Sequence, residues 1–177
     1  SSAAPLNNLQ VRKAVFNALD PWDAIDTLWN GLGFVSLGMP VADPGWLLSS
    51  QELREHLADP TSARDFFVAA PEGLSPSFTL AVADYGDTHL EYGKRLAQEL
   101  EAVGFQVSLS VVTPKDYPQE VWYGGQYDAF VGPIAPMTTP NMYLLSVLHS
   151  RGAWNTHAYR DPTLDSLIEE QATALDP

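Results

Sequence analysis

Cysteine is missing altogether from the 177 residues. That single absence excludes disulfide frameworks, thiol nucleophiles, zinc ribbons and iron–sulfur clusters. Basic residues are scarce as well: 9 Lys and Arg stand against 22 Asp and Glu, a formal charge of −13. A nucleic-acid binder neutralises phosphates with clustered cations, and a peripheral membrane protein docks cations on anionic lipid, so both classes are disfavoured. No apolar run approaches the roughly 18–20 residues that span a bilayer, and the N-terminus carries no basic, apolar, small-residue leader pattern. Two catalytic signatures are also lacking. None of His56, His89, His149 and His157 falls in an H-E-x-x-H spacing, and no G-x-S-x-G elbow presents a serine. Gly31-Leu32-Gly33 opens like a dinucleotide loop but follows a helix, whereas that loop needs a strand-to-helix turn to aim its amides at phosphate.

What is present is ordinary globular composition. Hydrophobic residues make up 45% and charged residues 18%, enough apolar material for a core in a chain of about one domain's length. Ser1-Ser2-Ala3-Ala4 reads as a linker ahead of a single unit over residues 5–177.

Helices are announced by periodicity and by caps. Val11, Ala14, Val15, Ala18 and Leu19 follow the spacing of one buried helix face. Asp20-Pro21, Asp59-Pro60 and Asp161-Pro162 each combine a capping carboxylate with a proline suited to the first helical position. Behind them run the stripes Trp22/Ile25/Leu28/Trp29, Ala63/Phe66/Phe67/Ala70 and Leu164/Leu167/Ile168/Ala172/Leu175. Between the helices the pattern changes. Phe78 to Ala83 is an apolar run of strand length, and Phe105 to Val112 alternates and is rich in valine. Tyr127 to Val131 reads as a third strand. A helix starting at a Thr88/Glu91 capping box and closed by Gly104 separates the first two, and a short helix opened by Thr113-Pro114 separates the second and third. Strand, helix, strand, helix, strand implies parallel pairing with crossovers. Residues 34–50 carry Gly, Pro and Trp without periodicity and read as an ordered surface loop, with Trp46 as its anchor.

In open α/β sheets ligands bind beyond the carboxyl ends of the strands. Here those ends are Asp84-Tyr85, Val112-Thr113 and the apolar loop Gly132-Pro133-Ile134-Ala135-Pro136-Met137. Asp87 and Glu91 suit a helix N-terminus, but Asp84 has no such duty. The mobile thioether of Met137 beside Ile134 suits a small-molecule pocket, and ordinary core packing accounts for it equally. Trp154 and Asn155 lie in a loop of small and polar residues, where the indole either lids a ligand or packs the loop onto the body. His56 and His89 read as solvated helix-surface residues. The residues considered as candidate ligand-binding groups are therefore Asp84, Tyr85, Gly132, Ile134, Pro136, Met137, Trp154 and Asn155.

The succession of segments resembles one lobe of the family 5 extracellular solute-binding proteins of ABC importers, the peptide- and nickel-binding group. Leu9-Gln10-Val11-Arg12-Lys13-Ala14-Val15-Phe16-Asn17-Ala18-Leu19-Asp20 is similar to that family's V-R-x-A helix ending in Asp. Ala24 to Gly33 resembles the helix and glycine turn that follow, and Gly38-Met39-Pro40 with Pro44-Gly45-Trp46 resembles the G-x-x-P…P-G-aromatic loop. Leu96 to Val107 is similar to its L-x-x-x-L-x-x-x-G crossover, Tyr127-Asp128-Ala129-Phe130 to its aromatic-Asp strand, and Tyr159 to Ile168 to its aromatic-x-D-P-x-hydrophobic-D-x-L signature.

The resemblance implies an α/β fold: a periplasmic-binding-protein type II-like lobe, three-layered, with a β-α-β-α-β core and flanking helices. Residues 5–177 would be the C-terminal-type lobe of a two-lobed protein that captures a solute outside the cytoplasmic membrane, in the periplasm or at the cell surface. Its implied partners are a small-molecule solute (peptide-like or another polar compound), the permease membrane subunits, and the other lobe of the same chain. Nucleic acid, cofactor, metal and catalysis are not expected. One departure matters: peptide binders of this family commonly place an Asp in the loop after the third strand, and here Ala135, Pro136 and Met137 stand there. A buried ammonium without its partner is costly, so a less charged solute, or one held by Asp84, fits better. Two other readings stand beside this one. An enzyme would work through Asp84, Asp87 and Glu91 with His149 or His157, and an acidic interaction module would use the charged surface and exposed aromatics.

Overall fold

An Asp-Pro pair starts three helices by the same local chemistry. Asp20 accepts hydrogen bonds from the amides of Trp22 and Asp23, Asp59 from Thr61 and Ser62, and Asp161 from Thr163 and Leu164. Each carboxylate thus satisfies two of the orphan donors of a first turn, while the proline fixes a helical φ without wasting a donor. The computed structural model describes residues 4–36, 47–125, 127–133, 139–156 and 158–174. Within them the helices are α1 (Leu9–Ala18), α2 (Pro21–Leu28), α3 (Ser50–Arg54), α4 (Pro60–Val68), α5 (Asp87–Val103), α6 (Pro140–Tyr143) and α7 (Pro162–Thr173). The strands are β1 (Ser77–Ala83), β2 (Gln106–Val112) and β3 (Ala129–Val131). Two wide π-helical turns complete the set, Pro118–Tyr123 and Leu144–Leu148.

The chain forms two compact units, residues 1–35 with 48–133 and residues 36–47 with 134–177. The first holds a three-stranded parallel sheet in the order β2-β1-β3. The central strand β1 pairs with β2 from Ser77↔Gln106 to Ala83↔Val112, and with β3 from Leu80↔Ala129 to Val82↔Val131. Asp128 continues that second pairing with its side chain: its carboxylate accepts the Thr79 amide at 2.8 Å, just where β3 begins. The aromatic-Asp pattern at 127–128 therefore marks a strand start with a structural job.

Period-2 alternation sends the sheet's side chains to two faces. On one, Leu80 and Val82 pack on Leu96 of α5, and Phe78 joins Val11, Ala14, Ala18, Ala63, Leu100 and Phe105 beneath α1 and α4. Phe105 meets Phe67 and Phe78 edge-on, with centroids 4.8 and 5.7 Å apart. On the other face Ala81, Ala83 and Val112 lie against Tyr117 and Val121. Helical elements thus cover both faces, the three layers expected. Arg95 ties α5 to α2, bonding Glu99 at 3.0 Å, Thr27 at 2.9 Å, and Asp23.

Two expectations are corrected. The Thr88/Glu91 capping box does not form: Gly86, at φ +103°, is the cap residue, no side chain caps the helix, and α5 starts at Asp87. Glu91 instead pairs with Lys94 at 3.3 Å. The helix expected after Thr113-Pro114 begins at Pro118, because Thr113 and Asp116 first close a side-chain turn, Oγ1 to carboxylate, at 2.7 Å. Most of residues 34–50, including Trp46 and the two Gly-Pro motifs, lies outside the described residues.

The second unit is built on α6, the turn 144–148 and α7, with Tyr143, His149 and Ile168 as its buried side chains among the described residues.

Helix α5 sits flush on β1 because residue 93 has no side chain. A Cβ there would stand 2.6 Å from a Val82 methyl. Gly93→Ala is expected to destabilise the fold by about 1–3 kcal/mol despite the better helix propensity of alanine. Gln98→Ala, on the exposed face of the same helix, should stay within about 0.5 kcal/mol. Urea unfolding of the two variants checks this, and equal midpoints would refute the flush packing.

Candidate functional site

All three strands of the first unit run the same way, so their carboxyl ends converge on one edge. There Ala83 completes β1, and the Asp84 amide donates to Val112 O at 2.9 Å, drawing the exit of β1 against the end of β2. The Tyr85 amide donates back to Ala83 O at 3.0 Å, a tight reversal that Gly86 completes with its positive φ before α5 begins. This turn leaves the Tyr85 ring 44% exposed. The half-buried Asp84 carboxylate faces the Gly86 amide at 3.4 Å.

Beneath Tyr85 lies an aromatic floor. Tyr117 is fully buried, and the Tyr85 ring meets it edge-on at 6.2 Å. Tyr117 in turn faces Trp122 at 5.7 Å and Phe130 at 6.3 Å, and Phe130 meets Tyr127 at 4.9 Å. To the side, His89 lies 6.0 Å from Tyr85 and edge-on to Trp29, which contacts Tyr92 at 5.2 Å. Such edge-to-face pairs fix ring orientation as well as burying area. The Tyr117 hydroxyl points at Pro133 O, 3.4 Å away. Burial, with Tyr85 and Tyr127 adding to it, pushes that hydroxyl far above the ordinary phenol range, so it is a neutral donor.

Gly132 is the point of closest approach. A Cβ on it would lie 2.5 Å from the Tyr117 hydroxyl and 2.8 Å from the Ala83 Cβ. Asp84, Tyr85 and Gly132 are thus brought together at one sheet edge. Ile134, Pro136 and Met137 lie outside the described residues, as does His157.

Trp154 and Asn155 belong to the second unit. The Trp154 amide donates to Ser146 O at 2.9 Å, closing its loop on the turn 144–148. Asn155 uses its side chain on the loop: its carbonyl accepts the Tyr159 amide at 3.0 Å, and its amide donates to Tyr159 O at 2.7 Å and His149 O at 3.1 Å. Asn155 thereby sets the shape of the loop around Trp154.

Sequence reasoning missed Tyr117 and misplaced His89. Tyr117 sits between a strand and a wide helical turn, where neither period-2 nor period-3.6 spacing applies. His89 was expected on a solvated helix surface and instead stands half-buried between two aromatic rings. The acid–base reading loses support, because Glu91 is paired with Lys94 and Asp87 occupies the first turn of α5. Among the described residues no three His, Asp or Glu side chains converge to hold a metal ion, and no helix is long and apolar enough to cross a membrane.

The profile of the bacterial extracellular solute-binding proteins, family 5 Middle, matches residues 1–156, and the chain belongs to that family. It is a family of solute-binding proteins of ABC importers, generally non-enzymatic and periplasmic or extracellular. Solved structures agree at the level of fold. A putative peptide binding protein AppA from Clostridium difficile superposes with a TM-score of 0.80 at 20% identity, covering 98% of this chain and 36% of that one. A mannohexaose-bound periplasmic oligopeptide-binding protein from Thermotoga maritima gives 0.80 at 18% identity, over 99% and 37%. NikZ from Campylobacter jejuni, in complex with Ni(L-His), gives 0.76 at 18% identity, over 99% and 38%. The chain therefore spans little more than a third of the length of these structures. No curated protein sequence matches it.

Gly132→Ala is expected to push the Tyr117 ring and the Ala83 methyl away from the end of β3 and to destabilise the protein by about 1–3 kcal/mol. The near-ultraviolet circular dichroism of the aromatic floor should change with it. An unchanged spectrum and unfolding midpoint would show that the strand end tolerates a side chain.

Proposed function

We propose that the carboxyl edge of the β2-β1-β3 sheet is one wall of the solute site of an ABC-importer binding protein, and that residues 5–177 form one lobe of it. The observation that carries this reading is the half-exposed Tyr85 ring held on a buried aromatic floor, where parallel strands end. A rigid ring with one open face stacks on planar or sugar-like groups at little entropic cost, while Asp84 and the turn amides supply polar contacts. Ile134, Pro136, Met137, Trp154 and Asn155 complete the proposed set of solute-binding residues. Capture takes place outside the cytoplasmic membrane and ends in delivery to the permease, with the other lobe of the same protein closing over the solute.

The solute is a polar small molecule, peptide-like or otherwise. The ligands of similar structures, a nonapeptide, mannohexaose and a nickel–histidine complex, share no one charge or shape. The apolar residues at 134–137 offer no carboxylate to a free α-amino group, which favours an uncharged solute or one whose positive end meets Asp84.

Native mass spectrometry of the full-length two-lobed protein, purified without denaturant, tests the proposal. A bound small-molecule mass is expected, lost after unfolding and refolding, and reduced at least about tenfold in occupancy by Tyr85→Ala. An empty protein that also fails to gain thermal stability from peptides, oligosaccharides or nickel–histidine would overturn it.

A further inference from the structure

The buried imidazole of His149 has no part in the aromatic wall, yet it organises the loop that carries Trp154. Its side chain is 7% exposed. Nδ1 accepts the Arg151 amide at 3.0 Å, and Nε2 stands 3.1 Å from Glu169 Oε1. An acceptor at Nδ1 places the ring proton on Nε2, where it donates to Glu169, so this arrangement requires the neutral imidazole. The backbone of the same residue closes the loop from its other side: His149 O accepts the Gly152 amide at 2.8 Å and the Asn155 side chain at 3.1 Å. Gly152 is pressed so closely onto the turn 144–148 that a Cβ would stand 2.3 Å from Ser146 O.

Among the described residues, three charged groups stand by the ring. From α7 come Glu169 and Asp165, the latter 3.9 Å from Nδ1 while accepting the Ser150 amide at 2.8 Å. From its own loop comes Arg151, whose guanidinium also holds Glu169 at 2.9 Å. The turn 144–148 contributes no charged side chain. The bond from the Ser150 amide holds Asp165 below the ordinary carboxylate range, and the bond to His149 does the same for Glu169. Both carboxylates therefore stay ionised beside the ring in mild acid.

We propose that His149 is a positioning residue for Trp154 and a proton-sensitive latch on its loop: a proton taken up at Nδ1 turns that atom from acceptor to donor, ejects the Arg151 amide, and redirects the ring toward Asp165. One proton is gained, no covalent bond changes, and the two states differ in the partner of Nδ1. The latch itself is independent of the solute. Its consequence, that acid displaces Trp154 and weakens capture, rests on the function proposed above.

The test reads the loop without any solute. The protein is labelled with 5-fluorotryptophan, and the Trp154 resonance is assigned by its loss in Trp154→Phe. Its 19F position is then followed from about pH 8 to about pH 5. A single-proton shift of the Trp154 signal is expected. His149→Asn keeps an acceptor oxygen near the place of Nδ1 without titrating, and should hold the signal at its high-pH position throughout. His149→Leu removes the acceptor and should displace the signal at every pH, with the other four of the 5 tryptophans as internal controls of folding. A Trp154 signal that stays fixed in the unmodified protein, or that moves equally in His149→Asn, overturns the proposal. Failure to find a solute would leave these outcomes untouched.

Discussion

Tyr117 is the side chain on which the proposed site depends. A phenol ring of that size can lie fully buried under the strand ends only if its neighbours give up volume, and they do. Ala81 and Ala83 present methyl groups to it, and Gly132 presents nothing. The ring then serves as the fixed surface on which Tyr85 and Phe130 are set edge-on. Its hydroxyl ends on Pro133 O, so a buried polar atom is satisfied at the residue where β3 gives way to the next loop. One large side chain, and three small residues that make room for it, thus hold the exits of β1 and β3 in register.

The same economy of volume acts on the opposite face. Gly93 lets α5 touch Val82 directly, and the helix brings His89 up beside Tyr85 from its first turn. The site is therefore positioned from both sides of the sheet, by Tyr117 below and by α5 beside it. Because β1 lies between two parallel partners, its end cannot shift without breaking ladder bonds on either side. A recognition surface assembled on such elements loses little freedom when a solute arrives, which is the advantage of preorganisation.

How much of this the sequence discloses depends on the range of the interaction. Asp20-Pro21, Asp59-Pro60 and Asp161-Pro162 mark helix starts because cap chemistry is complete within four residues. The apolar run of β1 and the alternation of β2 mark strands because each period is local, and their order implies parallel pairing. Thr88 and Glu91 mislead for the same reason: the spacing suits a capping box, but Gly86 turns the chain earlier and α5 begins ahead of them. Tyr117 and Gly132 are 15 positions apart and acquire meaning only when β3 lies beside β1. His149 and Glu169, 20 residues apart, meet only when α7 packs on the turn 144–148. Asn155 was legible as a polar loop residue, but its engagement with Tyr159 and His149 was not. The family resemblance reaches further than any of these patterns because it sums many weak local signals in one order.

Charge adds the last constraint on what such a wall receives. With a formal charge of −13 the field around the chain attracts cations and repels anions over roughly a Debye length, about 8–10 Å in physiological salt. Near the strand ends the carboxylates differ in availability. Asp116 is engaged by Thr113 and Glu91 by Lys94, whereas Asp84, among the described residues, bonds by its side chain to the amide of its own turn. The floor they surround carries no charge, since Tyr117 stays protonated and its neighbours are aromatic or aliphatic. On the proposed function, an anionic solute would cross a predominantly acidic rim to reach a floor that itself carries no charge. On the same proposal a neutral solute meets no such opposition, and a cationic one is steered inward towards carboxylates that include Asp84. If the proposed function holds, the electrostatics rank solutes by charge and the rings by shape.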